Sequence, residues 1–234
     1  MERSIIKTAD GSDTVIIPEL NVSYHSKHGA MQESMHVFIE AGFRYLINQS
    51  TNQPINIFEM GFGTGLNAFL TAIEATDKKI KVYYVAVEKS PLSEKEIKLL
   101  NYTECLENEG LFQAIHEGEW NHDFVVNEFF TLSKIRSDLI SYSINQQFNI
   151  IYYDAFAPSA QPELWTQKIF EKLFLMLLPG GILVTYCSKA EVRRAMQSAG
   201  FEVKKIQGPA GKREMVRAHL NPPGGRTSLP TKAS

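Results

Sequence analysis

"NIFEMGFGTGLNAFL", Asn56 to Leu70, sets an apolar run ending in Glu59 against three glycines at alternate positions, Gly61, Gly63 and Gly65, and then a helix-forming stretch from Leu66. Glycine allows positive φ and lets another group touch the main chain, while the helix beyond offers free N–H groups. A strand, a glycine loop and a helix in that order form a nucleotide seat. Two ligands compete for such a loop. A dinucleotide asks for G-x-G-x-x-G, whereas S-adenosylmethionine commonly asks for an acidic residue followed by x-G-x-G-x-G. The order Glu59-Met60-Gly61-Phe62-Gly63-Thr64-Gly65 fits the second pattern and misses the first by one residue. The bland alternative is a turn that serves only tight packing of strand on helix.

Outward from this stretch, "INIFEM", "KVYYVAVE", "FTLSKI", "FNIIYYD" and "GILVTYC" read as strands, with helices near 65–76, 92–106 and 163–178 between them. Strands apolar on both faces and joined by helices predict a parallel sheet between two helical layers. The segment "GFEVKKIQGPAGKREMVRA" breaks the alternation and reads as an antiparallel hairpin closing the sheet. The expected fold is α/β, a Class I, Rossmann-like, seven-stranded sheet with helices on both faces. Upstream, "SIIKTADGSDTVIIPELN" predicts a hairpin turning at Asp10-Gly11, followed by a helix from about Met31. Residues 1–50 are therefore expected to be an N-terminal extension of the same domain, 51–217 its core, and 218–234, rich in Pro, Gly, Ser and Thr, a disordered tail.

Composition narrows the function. The 234 residues are 44% hydrophobic with a formal charge of −2, so there is no global positive field for nucleic acid or an anionic membrane, and any such binding must be local. Cys105 and Cys187 stand far apart with no CxxC, which opposes a zinc site or disulfide scaffold and favours a reducing compartment; both are expected to be ordinary buried thiols. The opening "MERSIIKTADGSD" lacks the apolar core of a signal peptide, and no window approaches 18 apolar residues, so the expected location is the cytoplasm. His25-x-x-His28 and His116-x5-His122 lack carboxylate or thiolate partners at matching spacing, so no metal is expected.

Three acidic residues end strands where a parallel sheet opens its ligand crevice. Glu88, closing "KVYYVAVE", can accept from both ribose hydroxyls of an adenosyl group. Asp138 lies where the loop of the third strand would meet the adenine edge, or else it caps a helix begun by "LISYS". Asp154 stops "IIYYD" and opens the proline-framed loop "AFAPSAQPELW", making it the catalytic candidate; the alternative is a buried loop organiser.

With these motifs in hand, "GFGTGLN" (61–67), "EKSPL" (88–92), "DAFAPSAQPELWTQKIF" (154–170), "PGGILVTYCSKAEVRRAMQSAGF" (179–201) and "GPAGKREM" (208–215) together resemble the MnmC/MnmD family of tRNA 5-aminomethyl-2-thiouridine methyltransferases. The early "VSYHSKHGAMQES" also resembles that family's lead-in, so the likeness runs over roughly residues 5 to 217. The resemblance implies an S-adenosylmethionine-dependent enzyme, without flavin, that methylates the primary amine of aminomethyl-thiouridine at the tRNA wobble position. It implies cofactor contacts from Glu59, Gly61, Gly63, Gly65, Asn67, Glu88, Lys89 and Asp138, and substrate contacts from Asp154, Phe156, Pro158, Lys212 and Arg213. It also implies the stand-alone type, since the chain stops where the bifunctional members begin their FAD-dependent oxidoreductase, with the aminomethyl group supplied by a separate enzyme.

An alkylamine with a pKa of about 10 is protonated at neutral pH, and an ordinary aspartate, with a pKa of about 3.9, is a poor base for it. Asp154 is therefore expected to capture and orient the amine, with Phe156 either stacking on the thiouracil or merely packing its loop. Lys189 to Arg217 carries eight Lys/Arg (Lys189, Arg193, Arg194, Lys204, Lys205, Lys212, Arg213, Arg217) against three Glu, a basic flank for tRNA phosphate or simply a solvated face. Glu104, Glu107, Glu109, Glu117, Glu119 and Asp123 would form the acidic side. Two rivals remain at this point. A polyamine aminopropyltransferase shares the sheet, the loop and the aspartate, and a non-catalytic RNA-binding subunit would keep the fold alone.

Overall fold

The computed structural model describes residues 2–49, 54–143 and 145–220. Strands β1 (Ser4–Lys7), β2 (Asp13–Ile17) and β3 (Val22–Ser23) form a small antiparallel sheet in that order. Its first turn is organised by Asp10, whose Oδ1 accepts from Thr8 Oγ1 (2.8 Å) and Ser12 N (3.0 Å) while Oδ2 accepts from Gln32 N (2.9 Å). One side chain thus closes the expected hairpin and satisfies an orphan donor at the start of the next helix. That helix, α1, runs through Ala30–Ser34, a π-wound Met35–Arg44 and Tyr45–Ile47. It lies close on the sheet at Gly42, where a Cβ would come within 3.1 Å of the Tyr152 ring.

The main sheet contains β4 (Ile55–Met60), β5 (Val82–Glu88), β6 (Asp123–Asn127), β7 (Phe130–Arg136), β8 (Phe148–Tyr153), β9 (Leu177–Thr185), β10 (Glu202–Gln207) and β11 (Glu214–His219). Its order is β10-β11-β9-β8-β4-β5-β7-β6. Strands β9, β8, β4, β5 and β7 are parallel neighbours, while β11 runs against both β9 and β10. The closing hairpin is where the sequence placed it. The sheet has eight strands rather than the expected seven, because "DFVVN" adds β6 antiparallel to the β7 edge. Its half-exposed residues, with Val125 73% exposed, carry little of the apolar signal that marks a central strand.

Side-chain alternation along the central strands splits the interior in two. Ile57, Tyr84, Ile150, Tyr152 and Val184 face α1, α2 (Leu66–Lys78) and the Phe112 side of the molecule. Phe58, Val85, Ile151, Tyr153 and Leu183 face the opposite core, filled by Phe170, Leu173, Val192 and Met196. That double burial is why these strands read as continuous apolar runs. The span expected as one helix at 92–106 is two, α3 (Glu94–Ile97) and α4 (Tyr102–Leu106), followed by α5 (Glu109–Glu117). A Ser93–Glu96 capping box starts α3. Past the loop after β8 come a 3-10 turn, Pro162–Trp165, then α6 (Gln167–Leu175) and α7 (Ala190–Ser198).

Three further expectations change. Cys187 is buried, but Cys105 is exposed on α4. "LISYS" forms a turn at Asp138 rather than a helix. Residues 218 and 219, assigned to the tail, belong to β11, whose pairing with β10 reaches Glu202↔His219; the tail from 221 onward lies outside the described residues. Among the described residues no helix is long and apolar enough to cross a membrane.

Candidate active site

Chain order reverses across β4: the next strand, β5, lies on one side of it and β8 on the other. At the carboxyl ends of these strands, where such sheets hold ligands, lies a cavity of about 510 Å³. Gly61 and Gly63 after β4, Glu88 at the end of β5 and Lys89 beyond it, Asp138 after β7, and Asp154 and Phe156 after β8 all reach its wall, with Asn67 from the first turn of α2.

All three loop glycines have positive φ, at 91°, 52° and 73° for Gly61, Gly63 and Gly65. What presses against them is the protein itself. A Cβ on Gly61 would stand 2.9 Å from the Asp154 carbonyl oxygen, one on Gly63 3.2 Å from the Tyr24 ring, and one on Gly65 2.9 Å from the His116 ring. Gly65 therefore belongs to the packing behind the loop, and it is absent from the cavity wall. Glu88 braces the loop from the other side, accepting from Gly63 N through Oε2 (3.1 Å) and from Ser90 N through Oε1 (2.8 Å). Each oxygen keeps a second lone pair for a ligand. Lys89 Nζ sits 2.8 Å from Asp138 Oδ2, which holds the Asp138 carboxyl below its usual range, and Asp138 Oδ1 accepts from Ile140 N.

Glu59 does not reach the cavity. It is fully buried, and its Oε1 accepts from Asn67 Nδ2 at 2.9 Å. The same amide nitrogen donates to Asp154 Oδ2 at 3.0 Å. Burial pushes the Glu59 carboxyl well above its usual pKa, with Asp154's charge adding to the rise, so Glu59 works from behind by fixing the amide that orients Asp154.

Asp154 itself departs from an ordinary carboxylate. Burial raises its pKa to about 7, the charge of Glu33 adds to the rise, and the Asn67 hydrogen bond and Lys212 oppose it. The expectation of an aspartate some six units more acidic than an alkylamine is thereby corrected to a gap of roughly three. Its position is fixed through the backbone, since Asp154 N donates to Met60 O at 3.0 Å. Beyond it, Tyr186 Oη donates to Ala155 O (2.9 Å), Phe156 N to Gln161 Oε1 (2.9 Å) and Trp165 Nε1 to Phe156 O (2.8 Å). Pro158 shapes this loop's outer turn, where Gln161 N bonds to Ala157 O, and stands off the cavity wall.

The small N-terminal sheet supplies the facing wall, a role that sequence reading did not give it. Arg3, Ile17, Leu20, Tyr24 and His25 line the cavity. Tyr24 meets Phe156 edge to face, with ring centroids 5.2 Å apart, and covers Gly63. Arg3 clasps the loop after β5 through Ser90 O (2.6 Å) and Pro91 O (3.2 Å). Burial lowers the His25 pKa to about 4, so the ring is neutral at its contact with Thr14 Oγ1. The visible signal was "VSYHS", which belongs to the lead-in but has no periodicity of its own.

Lys212 and Arg213 also stand off the cavity wall. Lys212 Nζ is bound to Glu33 Oε1 at 2.5 Å and lies 4.0 Å from the centre of the Tyr186 ring. Along the basic flank, Lys204 pairs with Glu202 (3.0 Å), Lys205 with Glu214 (2.8 Å) and Lys189 with Glu191 (3.9 Å), while Arg217 stacks on Tyr45. Exposed pairs of this kind are worth about 0–1 kcal/mol and exchange readily for another anion. Among the described residues no group of three or more His, Cys, Asp or Glu is placed to hold a metal.

Residues 119–221 match the family model described as S-adenosyl-L-methionine-dependent methyltransferase. The chain is 31% identical over 226 residues to the tRNA 5-methylaminomethyl-2-thiouridine biosynthesis bifunctional protein MnmC of Pseudomonas syringae pv. tomato, an alignment covering 88% of this chain and 33% of that protein. It is 30% identical over 211 residues to the protein of the same name from Ectopseudomonas mendocina, covering 82% of this chain and 31% of that one. The chain thus spans about a third of the length of these curated relatives. Among solved structures, MnmC2 from Aquifex aeolicus superposes with a TM-score of 0.77 at 27% identity, covering 95% of this chain and 71% of that chain.

Proposed function

We propose that this chain, an S-adenosyl-L-methionine-dependent methyltransferase similar over most of its length to the MnmC proteins, methylates the primary amine of 5-aminomethyl-2-thiouridine at the wobble position of tRNA. The cavity suits the cofactor in volume and in chemistry: a half-buried carboxylate with spare lone pairs at the tip of β5, and half-buried glycine backbone at the wall beside it. Glu88 would take the ribose hydroxyls, Gly61 and Gly63 would lie along the amino-acid part, and Lys89 with Asp138 would flank the adenine. When bound, the cofactor supplies an electrophilic methyl group on a sulfonium.

Asp154 performs the remaining chemistry. Its carboxylate draws in the substrate ammonium, and Asn67 holds Oδ2 so that Oδ1 meets the amine. With a pKa of about 7, Asp154 is a competent acceptor for the ammonium proton. The deficit against a free alkylamine is roughly three units, or about 4 kcal/mol, and desolvation of the ammonium in the closed cleft narrows it. The freed lone pair then faces the methyl group, and Asp154 later releases the proton to water. Phe156 and Tyr24 offer an aromatic corner for the pyrimidine. Arg213 and the flank from Lys189 to Arg217 would hold phosphate.

The observation that carries this reading is the linkage Glu59–Asn67–Asp154, which joins the glycine-loop helix to the one proton-accepting carboxylate at the β8 end of the same cavity. A carboxymethylaminomethyl substrate would bring an anion toward Asp154 and be rejected, so the amine must arrive ready-made from another enzyme's reaction. The test offers the protein and methyl-labelled cofactor to two tRNA pools, one bearing each modification. Label is expected in the aminomethyl pool alone, and equal labelling of both would overturn the assignment.

A further inference from the structure

We propose that buried Glu33 and half-buried Lys212 form a charge pair that sets how firmly Asp154 holds its proton, making both of them positioning residues for the methyl transfer. The two lie 179 positions apart in the chain and meet only in the fold. Glu33, on the first turn of α1, is 7% exposed, and both of its oxygens are engaged, Oε2 by Ser26 N at 2.6 Å and Oε1 by Lys212 Nζ at 2.5 Å. Lys212 comes from the loop between β10 and β11, and its ammonium rests on the Tyr186 ring. Tyr186 in turn donates to Ala155 O, one residue beyond Asp154. Three separate elements therefore meet beside the loop that begins at Asp154.

A pair that is neutral as a whole still acts on a neighbour, because each charge acts at its own distance and buried Glu33 is screened less than half-buried Lys212. Glu33 pushes the Asp154 proton affinity up and Lys212 pulls it down. The other groups facing Asp154 are Glu59 on β4, Glu88 and Tyr84 on β5, His25 after β3 and Tyr186 beyond β9. His25 and Tyr186 feel the Glu33 charge as well, but burial keeps both uncharged near neutral pH whether or not it is present. An ion pair that merely tied α1 to the β10–β11 loop would cost stability whichever partner was lost. A charge pair that tunes Asp154 gives opposite signs.

The inference rests on Asp154 as the proton acceptor, and the experiment separates the two. Full-length protein carrying 13Cγ-aspartate is titrated by NMR, with Asp154→Asn identifying the resonance, in the wild type and in Glu33→Gln, Lys212→Gln and the double variant. Glu33→Gln leaves the ammonium uncompensated and should lower the Asp154 midpoint by about one unit. Lys212→Gln leaves the carboxylate uncompensated and should raise it by about one unit, while the double variant returns near the wild type. Lys212→Arg should keep the wild-type midpoint, and Lys212→Met provides a second neutral side chain should the glutamine variant fold poorly. The acid limb of kcat/KM should move with each midpoint. Midpoints that stay put, or move the same way in both single variants, would overturn the charge-pair inference. Midpoints that move as stated while the rate profile does not follow would leave the pair standing and remove Asp154 from the proton step.

Discussion

Replacing Glu88 separates loop bracing from cofactor contact. Its carboxylate takes two backbone N–H groups, Gly63 at 3.1 Å and Ser90 at 2.8 Å, while half-exposed at the cavity wall. In Glu88→Ala both donors lose an anionic acceptor, but water can reach this half-exposed site. The cost to the fold should be about 1–2 kcal/mol, or a melting point lower by a few degrees. The cofactor loses more, since a charge-assisted bond to a ribose hydroxyl is worth about 1.5–3 kcal/mol, which is roughly ten- to 150-fold in affinity for each bond. Glu88→Gln keeps one acceptor oxygen but turns an NH2 toward a backbone donor, so its affinity should fall by about tenfold and its melting point by less than that of the alanine variant. Calorimetric titration with S-adenosyl-L-methionine, beside thermal melts, reads both effects. A folded Glu88→Ala protein that binds within about twofold of the wild type would refute the placement of the ribose at β5.

Other substitutions test the remaining parts of the site. Gly61→Ala should impair folding and cofactor binding together, because it sets a Cβ at φ 91° and 2.9 Å from the Asp154 carbonyl; an unshifted melt would show that the loop yields. Glu59→Gln should change the pH dependence of stability. The folded-state pKa of Glu59 lies above its unfolded value, so its contribution is complete below about pH 4.5 and is lost as pH rises toward the folded value. The glutamine variant, which cannot ionise, should therefore gain on the wild type in melting temperature from pH 5 to pH 8, and a constant difference would contradict the buried, raised carboxyl. Neutralising Arg193, Arg194, Lys204 and Lys205 together should weaken tRNA binding and flatten its salt dependence by about 0.7–0.9 per lost phosphate contact; an unchanged slope would place the RNA on another face.

The parts of this molecule legible in the sequence were those with local periodicity or local chemistry. Ile57 and Phe58 face different cores, so β4 carries apolar side chains on both faces and declares itself central. Glu88 and Asp154 were visible because each ends such a run. Distance along the chain hid the rest. Tyr24 belongs to a two-residue strand's sequel and becomes part of the site only when the small sheet folds across the glycine loop. Glu33 reads as one polar position on an amphipathic helix, and its partner Lys212 lies in a hairpin at the other end of the chain. The reference acidity of aspartate also misled, because desolvation and a like charge, invisible in one dimension, move Asp154 to about 7. Glu59 misled in the opposite way: it fits the loop pattern, yet it acts from beneath the wall through Asn67.

On the proposed mechanism this cavity moves a methyl group from S-adenosyl-L-methionine onto an aminomethyl nitrogen, with Asp154 taking the proton. The most direct measurement is nucleoside mass spectrometry with fragmentation on aminomethyl-thiouridine tRNA incubated with methyl-labelled cofactor and either the wild type or Asp154→Asn. One labelled methyl per wobble uridine, located on the side-chain nitrogen, is expected in the wild type, and almost none with Asp154→Asn despite undiminished cofactor affinity. Label on sulfur, ring or ribose, or near-normal labelling by the asparagine variant at saturating tRNA, would contradict it.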